Sequence, residues 1–357
     1  MSGSSLLQES ALAPKLSAPQ HKPRPLPLFL HLLRSETAGA PERMARALEG
    51  LRRYQEAERT PPPPPAPAIA GRLGASLRDY GGAGVPALIV PSLINPPSIL
   101  DLSEERSLLR WLARRGKVRP LLLDWGVDVE ARRDLSVAGH VEAVLLPLLG
   151  ELGERAALVG YCLGGTMALG AAARTEALGV ATLAAPWRFT AFPDEARRGL
   201  AALWAGAKTT TERLGCLPME VLQSAFWALD PARTVGKFEA FADLAGEKAG
   251  AFVTLEDWAN DGPPLPAAAA RELFEDLFEG DSTGRGRWLA ADPGALPCPV
   301  LEVVSTVDRI VPAASAAGAG ERIELGLGHV GMVVGGRARE ALWEPLEAWL
   351  SRLGKSG

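Results

Sequence analysis

The chain has 357 residues, of which 47% are hydrophobic, and a formal net charge of -4. That supplies a sizeable core in one large domain or a domain with an insertion; the small charge and the lack of a long basic stripe exclude a nucleic-acid binder. No apolar stretch reaches the length of a membrane span, Met1-Ser2-Gly3-Ser4-Ser5 lacks the basic and apolar regions of a secretory signal, and Cys162, Cys216 and Cys298 are spaced too widely for a disulfide framework or a zinc site, which suggests a reducing compartment.

Residues 1 to about 24, polar with scattered Pro and Ser, are expected to be disordered. Leu26 to Leu33 is a short apolar run suited to packing on the body. Glu42 to Glu58 has helical periodicity, with Ala45, Leu48, Leu51 and Tyr54 on one face. Pro61 to Pro65 reads as a stiff polyproline spacer. Residues 1–71 therefore form an N-terminal segment, and the body is expected to begin near Arg72. Val85 to Val90 is a buried-type strand, followed by the loop Ser92-Leu93-Ile94-Asn95-Pro96-Pro97. An amphipathic helix is predicted over Leu102 to Arg115, ending at Gly116. A strand over Val118 to Leu123 ends at Asp124-Trp125-Gly126. A helix follows over Val137 to Leu149, with Pro147 late in it. The pairs Arg114-Arg115 and Arg132-Arg133 look like solvated helix faces. Ala156 to Val159 and Val180 to Ala184 are further strands, separated by a small-residue helix after Gly165. This alternation predicts an α/β protein whose mostly parallel sheet is covered by helices on both faces. Residues 188–285 interrupt it with helical pattern rich in Trp and Phe. They read as a helical cap inserted between core segments 72–187 and 286–357. After the cap come a late strand, Pro299 to Ser305, and a weak one, Glu321 to Leu325.

Gly160-Tyr161-Cys162-Leu163-Gly164-Gly165 lies between an apolar strand and a helix. Strand, glycine-flanked turn and helix is the setting of the nucleophile elbow of α/β-hydrolases, here with cysteine in place of serine. The glycines allow close backbone packing. The helix N-terminus should lower the thiol pKa and bind negative charge. Downstream, Asp308 lies just past the late strand, and His329 lies in the loop Gly326-Leu327-Gly328-His329-Val330-Gly331. Of the four histidines, His21 and His31 fall in the N-terminal segment and His140 in a helix; only His329 occupies a loop after a late strand. Nucleophile, Asp, His is the order of that fold. His329 would take the proton of Cys162, and Asp308 would fix its tautomer. The N–H of Leu163 and one from the loop at Ile94 are the candidate oxyanion-hole donors. No His/Cys/Asp cluster has metal-ligand spacing, so neither a metal nor a redox cofactor is expected.

Several ordered stretches resemble the polyhydroxyalkanoate synthase family: Val90 to Leu102, Leu123-Asp124-Trp125-Gly126, the cysteine lipase box at Cys162, Leu229-Asp230-Pro231 with Lys237-Phe238, Trp258-Ala259-Asn260-Asp261, and the surroundings of Asp308 and His329. The resemblance covers about residues 85 to 335. It implies an α/β-hydrolase fold and an acyltransferase that moves a 3-hydroxyacyl group from (R)-3-hydroxyacyl-CoA, through a Cys162 acyl-enzyme, onto a hydroxyl of a growing polyester. CoA thioester is then substrate, not cofactor. The implied partners are the polyester chain and an accessory synthase subunit or a second copy of the chain, in the cytoplasm at the surface of storage granules. The alternative is a thioesterase or polyester depolymerase using the same Cys, His and Asp.

Overall fold

The computed structural model describes residues 25–354, together with Pro23. The disorder expected for residues 1 to about 24, and His21 with it, lies outside the described residues.

Eight strands form one sheet, in the order β1-β2-β4-β3-β5-β6-β9-β10. They are β1 (Ala68–Arg72), β2 (Ala75–Asp79), β3 (Val85–Val90), β4 (Val118–Asp124), β5 (Ala157–Tyr161), β6 (Val180–Leu183), β9 (Val300–Ser305) and β10 (Glu321–Leu325); β7 (Cys216–Leu217) and β8 (Leu265–Pro266) make a separate two-stranded ribbon. From β4 to β10 every pairing is parallel, while β1 and β2 are antiparallel additions at one edge. The sheet thus starts before the expected boundary, since β1 ends at Arg72.

Alternation sets the two faces. Leu88, Val90, Leu121 and Leu123 point to one buried cluster; Ala87, Ile89 and Leu122 point to the other. Successive strand side chains face opposite ways, and helices cover both faces, so these strands read as continuous apolar runs. On one face lie the helices 137–151 and Leu163–Ala172, on the other Leu108–Arg115 and 339–353.

Two helices differ from expectation. The one predicted from Leu102 begins at Leu108, because Ser107 Oγ accepts the N–H of Arg110 at 3.0 Å and caps it there. The helix 137–151 contains a π turn at Val141–Leu145 immediately before Pro147. A wider turn accommodates a residue with no N–H to donate.

Between β6 and β9 lies helical structure: Asp194–Leu214, Met219–Leu229, Pro231–Phe241, Gly246–Ala259 and a stretch over 267–279. Trp204 stacks on Phe274 with ring centroids 5.1 Å apart. Buried carboxylates fasten this layer. Glu272 accepts the indole N–H of Trp288 at 2.6 Å and the N–H of Ala138 at 2.9 Å; Asp281 accepts from the Phe189 N–H and the Thr190 hydroxyl.

The N-terminal helices Leu26–Glu36 and Pro41–Glu56 dock on the cap. Phe29, Leu33, Ala47, Leu51 and Tyr54 share one cluster with Trp227, Phe238 and Phe241. The buried face of the second helix is Ala47, Gly50, Leu51 and Tyr54; Ala45 and Leu48 are exposed, contrary to expectation. A Cβ on Gly50 would lie 1.9 Å from the Phe238 carbonyl oxygen, so glycine permits this crossing. The largely exposed Pro61–Pro65 run is tied to the body, where Pro64 O accepts from the Arg110 guanidinium at 2.7 Å. Arg132 is a further correction. It is 2% exposed and donates to Leu73 O, so it is no solvated face.

Candidate active site

Cys162 stands at the sharp bend between β5 and the helix Leu163–Ala172, with φ 56° and ψ -130°. Non-glycine residues rarely adopt positive φ, and such strain gathers at functional sites. Two backbone bonds hold it: Cys162 N–H donates to Leu183 O at 2.9 Å, and Gly165 N–H donates to Cys162 O at 2.8 Å. Around it, side chains are excluded by backbone. A Cβ on Gly160 would lie 2.3 Å from Gly165 Cα, one on Gly164 would lie 2.0 Å from Val90 O, and one on Gly165 would meet the Ala185 Cβ at 2.3 Å. The thiol is half-buried and reachable.

His329 Nδ1 lies 2.7 Å from Asp308 Oδ2, and the Asp308 side chain is fully buried. Oδ1 of the same carboxylate accepts from the N–H groups of Ile310 (2.8 Å) and Val311 (3.1 Å), which fixes its orientation. The Cys162 side chain also acts on the imidazole and raises its pKa. Burial disfavours charge on His329, but the influence of Cys162 and the hydrogen-bonded Asp308 carboxylate outweigh it and push its pKa up to about 10. The structure therefore pairs His329 with Asp308 and places Cys162 close enough to influence the imidazole.

Tyr161 was not singled out in the sequence. Its ring stacks on His329 with centroids 5.0 Å apart, and its hydroxyl donates to His329 O at 3.2 Å. Its position next to Cys162 was the available signal.

The two expected oxyanion donors fare differently. The N–H of Leu163 lies in the first turn of its helix, where geometry provides no intrahelical acceptor. The N–H of Ile94 donates to Ser92 Oγ at 3.1 Å, so here it is engaged by its own loop. Trp125 serves that loop, its indole N–H donating to Pro91 O at 3.1 Å. The cap adds an ion pair, Asp230 with Arg309, beside Asp308.

Among the described residues no group of three or more His, Cys, Asp and Glu could hold a metal ion. Among them, too, no helix is long and apolar enough to cross a membrane.

No family model matches the chain. The poly(3-hydroxyalkanoate) polymerase subunit PhaC of Haloferax mediterranei is 27% identical over 297 residues, which cover 76% of this chain and 60% of the relative. The protein of the same name from Allochromatium vinosum is 27% identical over 292 residues, covering 75% of this chain and 81% of the relative. Of solved structures, a carboxylesterase from Nitrososphaera gargenis superposes with a TM-score of 0.53 at 14% identity, covering 82% of this chain and all of that one (100%). A thermophilic esterase from Thermogutta terrifontis gives 0.50 at 18% identity, covering 84% and 100%. Parallel sheet, elbow and these structural likenesses define the class: the chain has the α/β-hydrolase fold. In sequence the chain is similar to poly(3-hydroxyalkanoate) polymerase subunits from several organisms.

Proposed function

We propose that the chain is an acyltransferase of the polyhydroxyalkanoate synthase type, with Cys162 as nucleophile, His329 as acid–base and Asp308 as its orienting carboxylate. The observation that carries this reading is the strained Cys162 bend with His329 and Asp308 aligned behind it.

The geometry supports the following steps. His329 takes the thiol proton, and the Cys162 sulfur attacks the thioester carbonyl of a 3-hydroxyacyl-CoA. The Leu163 N–H and the loop at Ile94 hold the oxyanion, each donor contributing about 3 kcal/mol at the transition state. The C–S bond to CoA breaks, and the CoA sulfur leaves with the proton from His329. Acylation removes the influence of Cys162 that raises the His329 pKa. Burial then favours the neutral imidazole, a base. His329 next takes the proton of a polyester hydroxyl. That oxygen attacks the acyl-enzyme, and Cys162 leaves and recovers the proton. One ester bond forms and one CoA thiol is released. No cofactor enters this scheme. In this reading the partners are the hydroxyacyl-CoA, the growing polyester, and a second synthase subunit or second copy of the chain, at storage granules in the cytoplasm.

The similarity to poly(3-hydroxyalkanoate) polymerase subunits supports this choice of substrate class. The test is the product. Purified protein with (R)-3-hydroxybutyryl-CoA is expected to release CoA and form insoluble polyester. CoA release with free 3-hydroxybutyrate as sole product would replace the synthase by a thioesterase.

A further inference from the structure

The loop after β3 is gripped at both ends by indoles. From the core, Trp125 donates to Pro91 O at 3.1 Å. From the cap, Trp258, at the C-terminal end of the helix Gly246–Ala259, donates to Pro96 O at 2.9 Å. The cap touches the loop again at Gly262, where a Cβ would lie 2.9 Å from Ile94 O. Pro96 and Pro97 have no N–H, so between Ser92 and Pro97 only short backbone remains to offer a donor. Its peptide planes are set by what holds their carbonyls. An oxyanion donor works only within a few tenths of an ångström of its proper place.

We propose that Trp258 is a positioning residue: through Pro96 it makes the shape of the oxyanion loop, and hence acylation of Cys162, conditional on the cap being seated. This rests on the assignment of loop 92–97 to the oxyanion hole. Ile94 N–H donates to Ser92 Oγ, a bond that a substrate oxyanion would have to replace. A seated cap holds the loop ready for that exchange. A cap that swings away takes the Pro96 bond with it.

Two reactions of Cys162 separate this role from simple support of the fold. Acylation by p-nitrophenyl butyrate passes through an oxyanion; alkylation by iodoacetamide, a substitution at saturated carbon, does not. Trp258→Phe keeps an aromatic ring and removes the N–H. It is expected to slow acylation by about tenfold or more while alkylation stays within about twofold. Gly262→Ala, which crowds Ile94 O and strains a backbone at φ 154°, is an independent variant expected to give the same split. Unchanged acylation in both variants, or acylation and alkylation changing together, would overturn the proposal. The nitrophenyl ester makes the test independent of the CoA substrate. A wild-type chain that is acylated by the ester but releases no CoA from (R)-3-hydroxybutyryl-CoA contradicts the proposed substrate and leaves the loop result standing.

Discussion

The charge on His329 is a property of its neighbours. Removing the Cys162 sulfur removes its influence on the His329 pKa, which stands at about 10, and leaves burial opposed by Asp308 alone. In Cys162→Ala the imidazole is therefore expected to titrate at lower pH than in the wild type, by NMR of the His329 ring. Stability follows with a definite sign. A histidine whose folded pKa lies above the unfolded value of about 6.5 stabilises fully below that pH and loses the contribution as pH rises. For His329 the loss is expected between that value and about 10. Urea unfolding should show a smaller loss of stability over this window in Cys162→Ala than in the wild type. At this scale the sequence was informative where chemistry and backbone constraint coincide. Cys162 stood out because glycines are forced around it, and Asp308 and His329 because each follows a recognisable strand. The engagement of Ile94 N–H by Ser92 was not legible, since a two-residue loop bond leaves no periodic trace. The burial of Arg132 was hidden because its acceptor, Leu73 O, is 59 residues away.

Elements are set by local pattern until a contact overrides it. The apolar strands β3 to β6 and β9 announced themselves, because both faces of the sheet are covered. The hairpin of β1 and β2 did not. Its strands are half-exposed and carry small and charged residues, and its turn is Leu73-Gly74, both with positive φ (49° and 77°). A turn of that shape ordinarily calls for Asn or Gly first, so leucine disguised it. The elbow is the opposite case, since its sequence is dictated by backbone contact. Gly164→Ala would drive a Cβ against Val90 O, 2.0 Å away, with rigid backbone on both sides. The expected cost is about 1–3 kcal/mol or more, seen as a lower urea midpoint at unchanged slope. A wild-type midpoint would mean that the helix and β3 can separate freely.

For the whole molecule, the N-terminal helices and the cap form a unit of their own. Phe29 packs edge-on against Trp227 and Phe238, Tyr54 against Phe238 and Phe252, and Tyr54 donates to Asp257 at 2.7 Å. Each residue was visible in the sequence as apolar; the pairing of helices some 190 positions apart was not, because helical periodicity identifies a buried face without its partner. The crossing tolerates only glycine at position 50. Gly50→Ala should therefore force the helix off the cap, with the helices Pro231–Phe241 and Gly246–Ala259 becoming protease-sensitive before the sheet does. Simultaneous loss of protection throughout the chain would mean that cap and sheet open as one.

In the proposed function one sulfur, that of Cys162, carries the acyl group. The decisive measurement is mass spectrometry of the chain quenched during reaction with (R)-3-hydroxybutyryl-CoA, with Cys162→Ala alongside. The account predicts a hydroxyacyl adduct on the peptide bearing Cys162, and neither adduct nor CoA release in the variant. CoA release by Cys162→Ala at the wild-type rate, or an adduct on another residue, would contradict it.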